Sequence, residues 1–371
     1  MTDSKSKPVI VRSATVGSSL RVFCSRQLEW MSEAFNVVAV SDDDEDLRAL
    51  GENGIRISPV RMKRRISPFA DLMSVIRMYR TLRRIRPRIV HSITPKAGLV
   101  SMLAARLAGV PVRIHTFTGL VWPTEKGFRR KLLKFTDRLL CLCATDIIAE
   151  GEGVRKALLE LPCDRAVVLG HGSIRGVDLE RFHKKKEANA GTRFIYVGRL
   201  VADKGLETLV KAFVRLNGSY PQTTLTIVGE EEQGIDPLPE ETLYTLYNNK
   251  AIMPVGMQSD VDSWLRKADC LILPSRREGF PNVLLEASAT GIPSISTDVN
   301  GAREILKSEH GDGGIIVPVD DVESLLEAME RIVSDTALGT TLGNNANRIA
   351  AERFNEITVY QNLMDFYNQK L

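Results

Sequence analysis

Apolar and polar positions along this chain follow two periods that take turns. Short β-branched runs at 9–13, 37–40, 55–60, 89–92, 112–116, 146–150 and 166–169 each predict a buried strand. Between most of them, apolar residues return at helical spacing. The alternation resumes at 194–197, 224–228, 251–255, 270–273, 294–297 and 315–319. Strand and helix in strict succession predict parallel sheets wrapped by helices. Two such series predict an α/β chain with two doubly wound domains in tandem. The first is expected at 1–170 and the second at 191–355, joined by a linker at 171–190 rich in glycine and charge. Such sheets bind ligands at the C-terminal ends of their strands, here in a cleft expected between the domains.

A length of 371 residues exceeds one ordinary core and agrees with two domains. No apolar run reaches ~18 residues, so no membrane span is expected. The first eight residues lack the apolar core of a signal peptide. The five cysteines are odd in number and show no metal-binding spacing, which predicts a reduced cytosolic protein without a structural metal.

Charge divides the chain. Residues 1–170 hold 29 Lys and Arg against 17 Asp and Glu, a net of +12, while the rest hold 21 against 29, a net of −8. The segment 56–88 carries eleven basic residues and one acid, Asp71. On a helix starting near Asp71, Leu72, Ile76, Tyr79 and Leu82 fall on one side, and Arg77, Arg80 and Arg84 gather on another. A second basic stretch, 126–138, includes Arg129 and Arg130 and follows Trp122. Basic helices beside aromatic residues predict docking on an anionic membrane face. No nucleic-acid-binding motif accompanies the charge. A solvated surface bias is the plainer reading of either patch.

Candidate chemistry collects at the predicted strand ends. Gly17 follows the first strand and serves either close approach of a ligand or an ordinary tight turn; it is not part of a GxGxxG fingerprint, which argues against a nicotinamide dehydrogenase. The acidic run at 41–46 reads as a solvated loop. His91 and His115 fall at strand ends, where they are expected to face the cleft, and Lys96 adds a cation nearby. In the second domain, Arg199 and Lys204 flank the start of a helix, as in a diphosphate clamp. The strand at 270–273 runs into PSRREGFPNVLLEA, residues 274–287. Glu278 stands in its loop and Glu286 in the helix that follows, about 7 Å along the axis from Pro281. Gly279 lets backbone approach a ligand, and the N–H groups of the first helical turn form an anion site. The two strand ends together point to one nucleoside diphosphate with a carboxylate on either side.

These residues also carry a resemblance. The ordered set Gly198-Arg199-Leu200, Lys204-Gly205, Pro274-Ser275 and Glu278-Gly279-Phe280-Pro281 through Glu286 resembles the signature of the retaining GT-B glycosyltransferases of family four, group 1. The segments HSITPKAG, RIHTFTG and GHGSIRGVD are similar to the subgroup that builds bacterial capsule, O-antigen and glycoprotein oligosaccharides on a polyprenyl diphosphate carrier. The resemblance spans nearly the whole chain. It implies two Rossmann-like domains facing across a cleft, with the acceptor on the first and the nucleotide sugar on the second. It also implies a C-terminal helix, 356–371, packed back on the first domain.

By the same resemblance, Glu286 would hold the ribose, and Glu278 would lie by the donor sugar. The backbone at Gly279, Phe280, Pro281 and Asn282 would lie near that sugar or the phosphates. Arg199 and Lys204 would bind the diphosphate, Val255, Gly256 and Met257 would line the base, and His115 would approach the sugar. Gly17 joins this donor set. Lys96, Arg77, Arg80, Arg84, Arg129 and Arg130 form the acceptor and membrane set. The expected activity is retaining transfer of a sugar, an N-acetylhexosamine by subgroup, from a UDP-sugar to a polyprenyl-diphosphate-linked saccharide. It would proceed at the inner face of the plasma membrane with neither metal nor cofactor, the UDP-sugar being a substrate. A catalytically silent scaffold subunit and a nucleotide-sugar epimerase are the alternatives.

Overall fold

The computed structural model describes residues 7–63, 67–123, 125–161, 163–183, 191–232 and 236–371. Residues 184–190 of the expected linker, and Arg64 and Arg65 of the first basic segment, lie outside the described residues. The chain divides into two compact units, Met1–Arg175 with Val359–Leu371, and Gly176–Thr358. Each of the apolar runs found in the sequence contributes a strand.

The first unit alternates β1 (Val9–Ser13), α1 (Gly17–Met31), β2 (Asn36–Val40), α2 (Glu45–Glu52), β3 (Arg56–Ile57), α3 (Pro68–Ile85), β4 (Ile89–Ser92), α4 (Pro95–Leu107), β5 (Val112–Phe117), α5 (Gly127–Cys143), β6 (Asp146–Ala149), α6 (Glu152–Leu158) and β7 (Ala166–Val167). Its parallel sheet has the order β3-β2-β1-β4-β5-β6-β7. Both faces are covered, which is why the strands read as largely apolar runs without alternation. On one face, Met78 and Leu82 of α3, Val100 and Met102 of α4, and Leu140 of α5 share a core. On the other, Leu20, Cys24 and Leu28 of α1 pack with Leu47 and Leu50 of α2 and with Leu363, Met364 and Tyr367 from the chain's last helix.

Two expectations for this unit are corrected. The buried stripe of α3 runs through Ser74, Met78, Thr81 and Leu82, and Leu72 is exposed. The helix is turned because the segment after β3 lies against it. Ser74 Oγ donates to the Arg61 carbonyl at 2.8 Å, and Val60 and Met62 join the same core. Trp122 is fully buried, with the Lys134 ammonium 4.5 Å above its ring, so it is not a lipid-facing aromatic.

The second unit alternates β8 (Arg193–Val197), α7 (Leu206–Ser219), β9 (Thr224–Val228), α8 (Glu240–Asn248), β10 (Ile252–Gly256), α9 (Val261–Lys267), β11 (Cys270–Leu273), α10 (Asn282–Thr290), β12 (Ser294–Thr297), α11 (Ala302–Leu306), β13 (Gly314–Val317), α12 (Val322–Ser334) and α13 (Thr336–Arg353). The sheet order is β10-β9-β8-β11-β12-β13. The last helix, α14 (Glu356–Asn368), starts here and belongs to the first unit from Val359 onward. In both sheets the strand order reverses once, between β1 and β4 and between β8 and β11. That switch opens a crevice where a doubly wound sheet receives its ligand.

Candidate active site

At the switch point of the second unit, Cys270 pairs with Phe194 and Leu271 with Ile195, so the loops after β8 and β11 leave the sheet side by side. Gly205 brings them together. Its φ of 70° is left-handed, and a Cβ there would run into the Pro274 carbonyl oxygen. The Arg276 N–H donates to the Asp203 carbonyl at 2.8 Å, and the Arg277 guanidinium reaches the Asp203 carboxylate at 3.0 Å. Within this frame, Lys204 Nζ meets Glu278 Oε1 at 2.5 Å, with side chains only 18% and 13% exposed. A surface ion pair carries little energy, but a half-sheltered one at a ligand crevice sets the local charge. The structure thus joins two of the residues that sequence had placed in separate motifs.

Arg199 is more exposed and pairs with Glu232, a carboxylate on the loop after β9. Its backbone is held by the buried Tyr196 hydroxyl, which donates to the Arg199 carbonyl at 2.7 Å. Burial, and then the charge of Glu278, raise the Tyr196 pKa, so the phenol stays a donor. The helix α10 begins at Asn282, with Pro281 immediately before it in extended backbone. No side chain among the described residues caps this helix, so the N–H groups of its first turn are open to solvent or an anion. The Asn282 Oδ1 and Ser275 Oγ atoms are buried without a partner among the described residues. Gly301, with a φ of 79°, lets the loop after β12 close on this one; a Cβ there would lie 2.9 Å from the Phe280 Cα. Glu286 lies one helical turn further, half-buried. Val255 and Gly256 end β10 and Met257 follows it; the Met257 N–H faces Glu230 Oε1 at 3.4 Å and the Gly229 N–H donates to the Gly256 carbonyl at 2.9 Å.

Sequence reasoning missed Glu230, Glu232, Asp203 and Arg277. The signal was the run Gly229-Glu230-Glu231-Glu232 directly after an apolar strand, which puts carboxylates at a third strand end.

The first unit treats its expected site residues differently. His91 and His115 sit inside β4 and β5 and are fully buried, which corrects their placement at open strand ends. His115 Nδ1 is 2.8 Å from Ser92 Oγ, its ring meets Phe117 edge-on at 4.5 Å, and Gly98 gives it room. Burial pushes its pKa down to about 3, so the ring is neutral and packed. Beyond the end of β5, Thr118 is half-buried, and its hydroxyl donates to the Ile93 carbonyl at 3.4 Å. His91 Nδ1 accepts from Arg12 at 2.7 Å and from the Tyr367 hydroxyl at 2.5 Å. Its other nitrogen then donates to Thr116 Oγ1 at 2.7 Å. The Gly17 N–H donates to Asp44 at 2.7 Å, and a Cβ there would strike that carboxylate. Asp44 also accepts from the Leu47 N–H at 2.9 Å, so the acidic run contains a helix cap rather than only solvated charge.

Lys96 pairs with Asp71 at 2.8 Å, Arg129 with Glu125 at 3.1 Å and Arg130 with Glu160 at 3.5 Å. Arg77, Arg80 and Arg84 are exposed and make no ion pair among the described residues. A cavity of about 20 Å³ lies among Arg12, Gln27, His91, Glu150, Leu169 and Leu363; it has room for water, not for a nucleotide.

Residues 178–349 match the family described as Glycosyl transferases group 1, and residues 20–172 match the one described as Glycosyl transferase 4-like domain. The chain is 31% identical over 357 residues to the capsular polysaccharide biosynthesis glycosyltransferase CapM of Staphylococcus aureus, covering 92% of each chain. It is 28% identical to an Escherichia coli UDP-Gal:alpha-D-GlcNAc-diphosphoundecaprenol galactosyltransferase, over 99% of this chain and 97% of that one. It is 23% identical to a Campylobacter jejuni N-acetylgalactosaminyltransferase named for a diphospho-undecaprenol acceptor, over 90% and 91%. Anabaena HepE, solved with UDP and glucose, has the same fold, with a TM-score of 0.83 at 17% identity over 98% of this chain and 100% of that one. With both family patterns falling on the two α/β units and a full-length relative above 30% identity, the chain belongs to the group 1 glycosyltransferases and has their GT-B fold.

Proposed function

We propose that this glycosyltransferase moves a sugar, by preference an N-acetylhexosamine, from a UDP-sugar to a polyprenyl-diphosphate-linked saccharide in surface polysaccharide assembly. The observation that carries the donor half is the Lys204–Glu278 pair across the switch point of the second unit. The names of the Escherichia coli and Campylobacter jejuni relatives support the acceptor half. As the bond to the diphosphate breaks, negative charge grows on the leaving oxygen. Lys204, Arg199 and the uncapped first turn of α10 stabilise it, so the reading needs no metal ion. Glu278 lies beside the donor sugar and Glu286 holds the ribose. The base lies along Val255, Gly256 and Met257. No side chain here is assigned as a nucleophile, and the departing phosphate takes the acceptor proton on the same face, which retains anomeric configuration. The UDP-sugar is a substrate, and no cofactor takes part. The enzyme works as a peripheral protein on the inner membrane face.

A panel of nucleotide sugars, offered with a prenyl-diphosphate-sugar acceptor and read by nucleotide release, tests this. Release from a UDP-sugar only when acceptor is present is expected. Release from no nucleotide sugar overturns the reading, UDP binding without turnover gives a scaffold, and product from donor alone gives an epimerase.

A further inference from the structure

Among the described residues of the second unit, the non-glycine positions with left-handed backbone are Asp236, with a φ of 48°, and Asp320, with a φ of 59°. Glycine is the residue that such backbone favours, and aspartate tolerates it better than most side chains. Asp236 lies between β9 and α8, and Asp320 between β13 and α12. Though distant in sequence, both act on one structure. It is the single 3₁₀ turn Ala202–Lys204, which presents the Lys204 ammonium to Glu278.

Each backbone N–H and carbonyl of Ala202 and Asp203 is engaged from outside that turn. Asp236 takes the N–H groups. The Asp203 N–H donates to its carboxylate at 2.6 Å, and the Ala202 N–H to its carbonyl at 3.0 Å. Arg276 takes the carbonyls. Its guanidinium donates to Ala202 at 3.1 Å, and its N–H to Asp203 at 2.8 Å. Asp320 fixes that guanidinium, its two oxygens accepting from Arg276 Nε at 2.7 and 3.0 Å. The two aspartates arrive from opposite sides of the switch point: β9 neighbours β8, and β13 stands two places beyond β11. The Arg276–Asp320 pair is half-exposed, and one such pair adds little stability. What it governs is aim, because a cation that must meet developing charge loses rate when its support is loose.

We infer that Asp236 and Asp320 are positioning residues for the transfer step. Through the 202–204 turn and Arg276, they hold Lys204 where charge develops on the leaving diphosphate. This rests on the donor-site reading of Lys204 above. It adds to that site two residues from outside the loops that carry Lys204 and Glu278. In each, a backbone position suited to glycine is occupied by the carboxylate that the turn requires.

Substitutions in the full chain separate carboxylate from backbone. Asp236→Gly and Asp320→Gly keep the left-handed backbone and remove the carboxylate, whereas Asp236→Asn keeps an acceptor oxygen as well. The glycine double variant should lower kcat by about tenfold or more, with a smaller change in KM for the nucleotide sugar. Asp236→Asn should recover most of the part of that loss due to Asp236→Gly. In a Lys204→Met background the two glycine substitutions should cost no more than about twofold, since the turn then has nothing to aim. A merely structural role would lower both backgrounds alike. Amide exchange across the 202–204 turn, read by mass spectrometry without substrate, should speed up about tenfold in the double variant. Wild-type kcat in that variant overturns the inference. So does an equal loss in the Lys204→Met background, or turn exchange unchanged from wild type. If the wild-type chain turns over no nucleotide sugar, the transfer reading fails by itself, and the exchange rates decide whether the two aspartates hold the turn.

Discussion

Each unit places a topological switch between two neighbouring strands, β1 and β4 in the first, β8 and β11 in the second. In the first, the two loops are sewn shut by hydroxyls: Thr15 and Thr94 share a hydrogen bond at 2.8 Å, and Thr94 also accepts from the Thr15 N–H at 2.8 Å. In the second, the equivalent loops meet through Lys204 and Glu278, charged groups that a ligand can re-partner. One sheet plan therefore yields a packed strand end in one unit and a candidate diphosphate site in the other. What decides is the chemistry of a few loop side chains and not the fold.

The largest expected effect tests the charged side of that contrast. Lys204→Ala should lower kcat/KM by about 2–4 kcal/mol, measured as initial rates of nucleotide release. A rate within twofold of wild type would remove the second unit's claim to the site.

Gly205→Ala comes next. A side chain at a left-handed position facing the Pro274 carbonyl should cost about 1–3 kcal/mol in denaturant unfolding. The same variant should weaken UDP binding, because it parts the loops that bring Lys204 to Glu278.

His115 tests the packed side. Its folded pKa of about 3 lies below the usual imidazole value, so the unfolded chain binds a proton that the folded one refuses. Stability is present above pH ~6.5 and is lost as pH falls toward 3, by about 2 kcal/mol at pH 5 from this ring alone. His115→Gln should remove about one proton from the stability slope between pH 6.5 and 5. If it instead abolished transfer while leaving that slope intact, the strand end would be an open site after all.

The smallest effect is Asp44→Ala, expected to cost about 1 kcal/mol of stability through two lost N–H partners. UDP affinity, read by calorimetry, should not change, since the two groups Asp44 holds, the Gly17 and Leu47 N–H, lie in the first unit.

The strands were legible because covered sheets demand apolar runs on both faces, and the carboxylates and cations of the second unit were legible because they fall directly after such runs. His115 was misplaced by the same logic taken one step too far. It lies inside a central strand whose two faces are both buried, and a one-dimensional pattern does not mark where such a strand stops. Gly17 announced a close approach without naming what approaches. In α5, apolar residues occupy two stripes, and nothing in their spacing says which one packs. The partnering of Lys96, Arg129 and Arg130 depended on carboxylates distant in sequence or unremarkable in place, such as Asp71 and Glu160.

The division of the chain has a consequence for its synthesis. The first unit is assembled from two pieces, and its second piece, Val359–Leu371, follows the whole of the other unit. Tyr367 from that piece supplies a hydroxyl to the buried Arg12 of the first strand at 2.9 Å. As the ribosome releases the chain from its N-terminus, the second unit can close its own core while the first still waits for α14. Until those last residues emerge, Arg12 has lost one of its few internal partners and α1 an apolar cover. The half made first is the half finished last.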